Sequence, residues 1–191
     1  MTNTKIQIAF RDFNVTYFKP DNKEIVIFSL GNCEIGIPIV RIHSSCLFGE
    51  AFNSQDCDCA QQLNATIKRI VQNGAGIIVY VFEEGRGIGL ENKIKAIEIE
   101  RTEEVDTVEA FRKLGFEPDP RDLDIPAKIL SDLNTSKTIG LFSGNPKKKQ
   151  SLEKFGFKIV EEYETSEPLL SVVAKKEKET KRTKLGYSYK K

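Results

Sequence analysis

Between residues 6 and 42, apolar and polar positions alternate in the segments IQIAF, NVTYF, EIVIFSL and EIGIPIVRI, which are rich in β-branched and aromatic side chains. A period of two turns one face of each segment toward a core, so these read as strands of a twisted antiparallel sheet. After a cysteine-rich stretch the period changes. Leu63, Ile67, Ile70 and Val71 recur at helical spacing, and the helix is predicted to stop near Asn73-Gly74. Gly76 to Phe82 is a continuous apolar run, as a strand buried on both faces requires. A glycine-rich turn, EEGRGIGL, leads into the helical stretch ENKIKAIEIE. Thr107 to Leu114 reads as a short helix followed by Gly115, which suits the left-handed C′ position. The next helix is predicted to begin near Pro126, because a first-turn proline gives up no helical hydrogen bond. KTIGLFSG is a further buried strand, Asn145-Pro146 caps a helix running to Phe155, and FKIVEEYE closes as a strand. This alternation predicts an α/β fold: a three-layer α-β-α arrangement with a mixed sheet and a β-rich N-terminal part.

The length of 191 residues fits one domain, taken as residues 1–174, followed by a charged tail at 175–191. In that tail Lys175, Lys176, Lys178, Lys181, Arg182 and Lys184 are interleaved with acids. A basic arm for phosphate or nucleic acid is one reading; a solvated end is the preferred one. The net charge is +1, so nothing in the overall balance demands nucleic acid or a membrane as partner. The N-terminus MTNTKIQIAFRDF has no charged segment followed by an apolar run, and no stretch approaches the ~20 apolar residues of a bilayer span. The expectation is a cytoplasmic protein. There thiols stay reduced, and clustered cysteines serve as ligands or catalysts.

The cysteines then become the most informative residues. Cys46, Cys57 and Cys59 follow a C-x10-C-x-C spacing, while Cys33 stands apart and reads as a small buried residue. Three thiolates without an obvious fourth ligand suit a zinc ion with one open position, where a water can be held and ionised. Buried free thiols, or a closed structural zinc with a borrowed ligand, are the alternatives. His43, the single histidine, is a candidate fourth ligand or proton carrier, against the plainer reading of a hydrogen-bonded core residue. The glycines at 85, 87 and 89 suggest a dinucleotide fingerprint only weakly, since their order is G-x-G-x-G.

From Arg41 to Lys149 the chain resembles the GTP cyclohydrolase II family, whose members open the guanine imidazole ring. The blocks RIHSSC, DCDCAQQL, EEGRGIGLENKIKA, DTVEAFRKLGF, DPRD and NPKK fall in the family's order. The resemblance implies zinc on Cys46, Cys57 and Cys59, hydrolytic opening at the ring carbon between the two imidazole nitrogens, and then release of formate. It assigns Arg121 as nucleophile on the α-phosphate, displacing pyrophosphate, with Asp119 as its base. The residues alone support a milder role, an electrostatic clamp on phosphate by Arg121 in a proline-restricted turn. Arg41, Ile42, His43, Ser44, Ser45, Gln62, Glu84, Gly85, Arg86, Thr107, Ser143 and Lys148 match the family's substrate contacts. GTP or a close purine nucleotide, Mg²⁺ on the triphosphate and a homodimer are implied in the same way.

Four departures qualify the resemblance. Ser45 replaces an acid, Ala60 a glycine, and Ser143-Gly144-Asn145-Pro146 a T-N-N-P segment. Ile97 stands where the family carries a catalytic tyrosine. An isoleucine can neither donate nor accept a proton, so the first ring opening is expected to survive while release of formate is slowed or lost, leaving the formyl group on the product. A shifted heterocyclic substrate and a catalytically silent, zinc-stapled nucleotide binder remain the competing readings.

Overall fold

The computed structural model describes residues 2–165 and 170–188. Seven strands form one mixed sheet in the order β1-β2-β3-β5-β4-β6-β7. They are β1 (Thr2–Ile8), β2 (Arg11–Phe18), β3 (Ile25–Leu30), β4 (Ile39–Ser44), β5 (Gly76–Val81), β6 (Thr138–Phe142) and β7 (Lys158–Tyr163). β1, β2 and β3 are antiparallel neighbours, and β3 runs antiparallel to β5. β4 pairs in parallel with both β5 and β6, and β6 with β7. One expectation is corrected here. β4 is not part of the N-terminal antiparallel sheet, because β5 lies between it and β3. Ile39 through His43 are all buried, a pattern of the two-sided parallel strand and not of the alternating edge.

The helices are α1 (Leu47–Glu50), α2 (Cys59–Asn73), α3 (Gly89–Thr102), α4 (Thr107–Lys113), α5 (Asp124–Asp132), α6 (Pro146–Lys154) and α7 (Val172–Leu185). α2 lays Leu63, Ile67, Ile70 and Val71 on one face of the sheet, against Phe13, Leu30, Ile39 and Ile78. Gly74 ends it in the left-handed conformation, as predicted. On the other face α5 and α6 cover Val40, Ile42, Ile77, Val79 and Leu141 with Ala127, Leu130 and Leu152. The three layers of the sequence reading are therefore present. α3 and α4 form a smaller cluster around Ile88, Ala96, Ala110 and Phe111.

The sequence read as a solvated tail behaves otherwise. α7 spans residues 172–185, and Ala174, Lys178 and Thr180 are buried. Among the described residues no helix is long and apolar enough to cross a membrane.

This topology fixes where a ligand can sit. α2 carries the chain from β4 to β5 on one face; the path from β5 to β6 then crosses to the other side of β4 and packs α5 on the opposite face. The loops leaving the carboxyl ends of β4, β5 and β6 therefore diverge and leave a crevice, the usual binding place in open α/β sheets.

Candidate active site

That crevice is a cavity of about 390 Å³, within the range of small-molecule pockets. Cys46, Cys57, Cys59, Arg41, His43, Ser44, Ser45, Gln62, Gly85, Arg86, Thr107, Arg121, Ser143 and Lys148 all line it. Three of the sequence candidates do not. Ile42 turns its side chain into the core beneath α5 and offers its carbonyl to Lys148 Nζ at 2.8 Å. Glu84 accepts from Lys93 Nζ at 2.7 Å and from the Leu47 amide. Asp119 sits behind Arg121 and holds it.

The three sulfurs lie within 4.8 Å of one another, with Cys46 and Cys57 Sγ 3.6 Å apart. Tetrahedral zinc with bonds of ~2.3 Å needs sulfurs about 3.8 Å apart, so this donor set fits the ion. Cys46 ends β4's exit loop, and Cys59 opens α2, so strand and helix fix two ligands directly. Gly49 makes room for them. A β-carbon there would lie 2.8 Å from Cys57 Sγ and 3.2 Å from Cys46 Sγ. Hydrogen bonds from Cys57 and Cys59, and the charge of Lys93, push the Cys46 thiol down, while Cys46 pushes Cys57 up to about 12 and raises Cys59. Sulfurs this crowded share out protons that a cation would replace. Lys93 Nζ stands 3.3 Å from Cys46 Sγ and supplies one positive charge toward the net negative charge of a three-thiolate zinc site. Burial opposes the Lys93 charge, but Glu84 and Cys46 outweigh it and its pKa is raised. Cys33 is outside the cluster and donates to the Leu30 carbonyl at 3.4 Å.

His43 is not placed as a fourth ligand. Its Nδ1 accepts from Arg41 Nε at 2.9 Å, and its Nε2 lies 2.9 Å from Glu50 Oε1. Both nitrogens are engaged, and the ring stacks on Tyr80. Burial and the Arg41 charge lower its pKa to about 4, so it is neutral, with Nε2–H donating to Glu50. Glu50 also accepts from the Cys46 amide at 2.8 Å and from the Tyr80 hydroxyl at 2.8 Å. Arg41 continues the network, donating to the Phe142 carbonyl at 3.0 Å and to Gln62 at 2.6 Å. These groups brace the Cys46 loop against β4 and α2.

Arg121 gives Nε and Nη2 to Asp119 at 2.7 and 2.6 Å, Nη1 to Ser44 at 3.3 Å and Nη2 to the Tyr187 oxygen at 3.2 Å. Burial disfavours its charge, yet Asp119 holds it firmly protonated and is itself held below the usual carboxylate range. Burial, then Arg121 and Arg41, drive Lys148 well below the ordinary lysine value. A buried lysine beside two arginines suits an anion, whose charge would favour the protonated amine. In the glycine-rich turn Gly85, Arg86 and Gly87 all have positive φ (59°, 56° and 92°), which folds the loop back on α3 and aims Arg86 at Thr107.

One face of α3 forms a cavity wall. Lys93, Ala96, Ile97 and Glu100 recur at helical spacing and all line it. Ile97 is half-buried there. Burial and the neighbouring Glu177 raise Glu100 to about 7. Sequence reasoning gave no role to Gly49, Glu50, Tyr80, Lys93, Glu100 or Tyr187, and Asn145 only that of a helix cap. Lys93 and Asn145 left a signal, since they belong to the EEGRGIGLENKIKA and NPKK blocks.

Comparison with known proteins agrees with this geometry. A family model described as GTP cyclohydrolase II matches residues 1–164. The GTP cyclohydrolase-2 of Archaeoglobus fulgidus is 45% identical over 157 residues, covering 82% of this chain and 41% of that protein. The riboflavin biosynthesis protein RibBA of Chlorobium phaeovibrioides is 40% identical over 188 residues, 96% of this chain and 45% of its own length. Its counterpart in Bacillus subtilis is 42% identical over 172 residues, 87% of this chain and 42% of that protein. The chain thus spans less than half the length of these relatives. Among solved structures, the two-domain 3,4-dihydroxy-2-butanone 4-phosphate synthase RibBX of A. baumannii aligns at a TM-score of 0.42 and 14% identity, over 87% of this chain and 40% of that one. With most of its length matched by the family model, and with three cysteines gathered where the sequence motifs anticipate, this chain belongs to the GTP cyclohydrolase II family.

Proposed function

We propose that the cavity binds GTP with Mg²⁺ on its triphosphate, opens the imidazole ring of the guanine and releases pyrophosphate. The observation that carries this reading is that three clustered sulfurs and the Asp119-held Arg121 face the same crevice. Cys46, Cys57 and Cys59 would hold zinc, which when bound supplies Lewis-acid activation of water for attack on the ring. The chain's own groups do the rest. Lys93 offsets the negative charge of the sulfurs, and Glu50, through Cys46 and His43, keeps the ligand loop in place.

Arg121 and Arg86 present positive charge to the phosphates, with Lys148 beside them on the cavity wall. Arg121 acts as the clamp and not as the attacking group, because the Asp119 pairing strengthens its hold on its protons; a water oxygen then attacks the α-phosphate and takes the place of the departing pyrophosphate. A bound triphosphate would also favour the charged form of Lys148, which burial, and then Arg121 and Arg41, oppose. Ser45 and Ser143, just beyond β4 and β6, offer hydroxyls to the nucleotide, Ser44 donates to Glu83 and accepts from Arg121, and Thr107 orients Arg86.

Ile97 brings no proton to this wall, so the formyl group stays on the opened ring and the product is the formylamino-pyrimidine nucleotide. Purified protein with zinc, Mg²⁺ and GTP is expected to consume GTP and release pyrophosphate without stoichiometric formate. Stoichiometric formate would contradict retention; unchanged GTP would contradict the reading itself. Membership of the family leads us to expect a cytoplasmic homodimer as well, which sedimentation would report as twice the chain mass.

A further inference from the structure

α7 lies beyond the residues that the family model covers, yet it forms part of the cavity. Its attachments cross the crevice. Ser171 Oγ donates to the Gln55 carbonyl, in the loop between Cys46 and Cys57. Glu177 accepts from Arg86 at 3.3 Å and from Lys181 at 2.9 Å. Lys184 pairs with Asp106, the residue that caps α4. The Ser188 amide donates to the Gly144 carbonyl at 2.9 Å, in the turn after β6. The segment therefore runs from the cysteine loop to the turn beside Arg121, with Val173, Glu177, Thr180 and Lys181 on the cavity wall. Gly186, at φ 69°, ends α7 and turns the chain so that Tyr187 enters the crevice.

There the Tyr187 oxygen accepts from Asn145 Nδ2 at 2.7 Å and from Arg121 Nη2 at 3.2 Å. A guanidinium has five N–H groups. Asp119 takes two from Arg121, Ser44 one and Tyr187 one, which leaves a single Nη1–H for an incoming oxygen. Asp119 alone fixes the plane of the fork; Tyr187 and Ser44 fix which N–H stays available.

We propose that the C-terminal segment 171–188 completes the phosphate site and that Tyr187 is a positioning residue, setting the direction in which Arg121 meets the triphosphate. This rests on the reading of the cavity as a nucleoside triphosphate site. Tyr187 stands at the Asp119–Arg121 turn and shares its oxygen between Arg121 and Asn145, so it is not a substitute for the phenol missing at Ile97.

The test uses the zinc-loaded full chain and Tyr187→Phe, which keeps the ring and removes only the oxygen. At unchanged Tm and zinc content, the variant is expected to bind inorganic tripolyphosphate about tenfold more weakly by calorimetry, the scale of one lost hydrogen bond to a charged group. Its kcat for pyrophosphate release from GTP is expected to fall by a similar factor. In an Arg121→Lys background, Tyr187→Phe is expected to cause no further loss of tripolyphosphate affinity, because the phenol acts through the guanidinium. Equal affinity of wild type and Tyr187→Phe, or an additive loss in the lysine background, would overturn the proposal. The tripolyphosphate arm is independent of turnover. If the affinities follow the proposal but GTP is untouched, the positioning role stands and the cyclohydrolase reading fails. If GTP is consumed equally by both proteins, that reading stands and this proposal falls.

Discussion

The cysteine cluster and the arginine turn face one cavity but are assembled in different ways. All three sulfurs come from residues 46–59, the stretch around α1 and the first residue of α2, with Gly49 of α1 to admit them. Lys93 reaches the cluster from farther along the chain. Arg121 is held by Asp119 nearby, but also by Ser44 on β4 and Tyr187 after α7, 77 and 66 residues away. A locally built site survives changes elsewhere, whereas one converged upon by distant elements inherits every shift in how those elements pack. The two should therefore fail separately.

Cys59→Ser gives the largest expected effect. It removes one of the three sulfurs proposed to hold zinc, so zinc content and GTP consumption should both fall by far more than the roughly 10–100-fold that an outer-shell change costs. Tripolyphosphate binding should persist, and its loss would mean that the two regions are one unit. Arg121→Ala is the converse. Pyrophosphate release is expected to drop on the order of 10²–10³-fold, the cost of a lost charge-stabilising donor, with one zinc still bound by metal analysis. A smaller effect is expected from Gly49→Ala, whose new methyl group presses on Cys57 and Cys46. Zinc affinity measured by competition with a chelator should weaken about 10–100-fold, with the affinity for tripolyphosphate unchanged.

The smallest effect concerns the brace that holds the Cys46 loop against β4 and α2. His43 is the only histidine, so its imidazole gives one resonance, expected to titrate at about 4 and not near 6.5. With the folded pKa below the unfolded one, the unfolded chain binds the extra proton between those values. The stabilisation is therefore complete above about 6.5 and is lost as pH falls through about 4. A midpoint near 6.5 in the folded protein would mean that the Arg41–His43–Glu50 chain does not persist in solution.

The same local–distant division governs what the sequence disclosed. Leu63, Ile67, Ile70 and Val71 announced α2, and the unbroken apolar run from Gly76 announced β5, because periodicity is local. Cys46, Cys57 and Cys59 were legible from spacing for the same reason. The position of β4 was not, since its pairing depends on a crossover that places β5 between it and β3. His43, Arg41 and Gln62 were found as residues, but their mutual hydrogen bonds come from a strand and a helix that meet only in the folded state. The lysine-rich end was misread because charge density suggests solvent; its ion pairs to Arg86 and Asp106 belong to tertiary structure. Tyr187 carried no motif at all.

The most direct test of zinc-dependent ring opening in this cavity is a zinc titration of chelator-stripped protein, with GTP consumption measured at each step. Turnover is expected to be absent at the start and to rise in proportion to bound zinc, levelling at one ion per chain. Equal turnover without metal, or one bound zinc with GTP left intact, would contradict it.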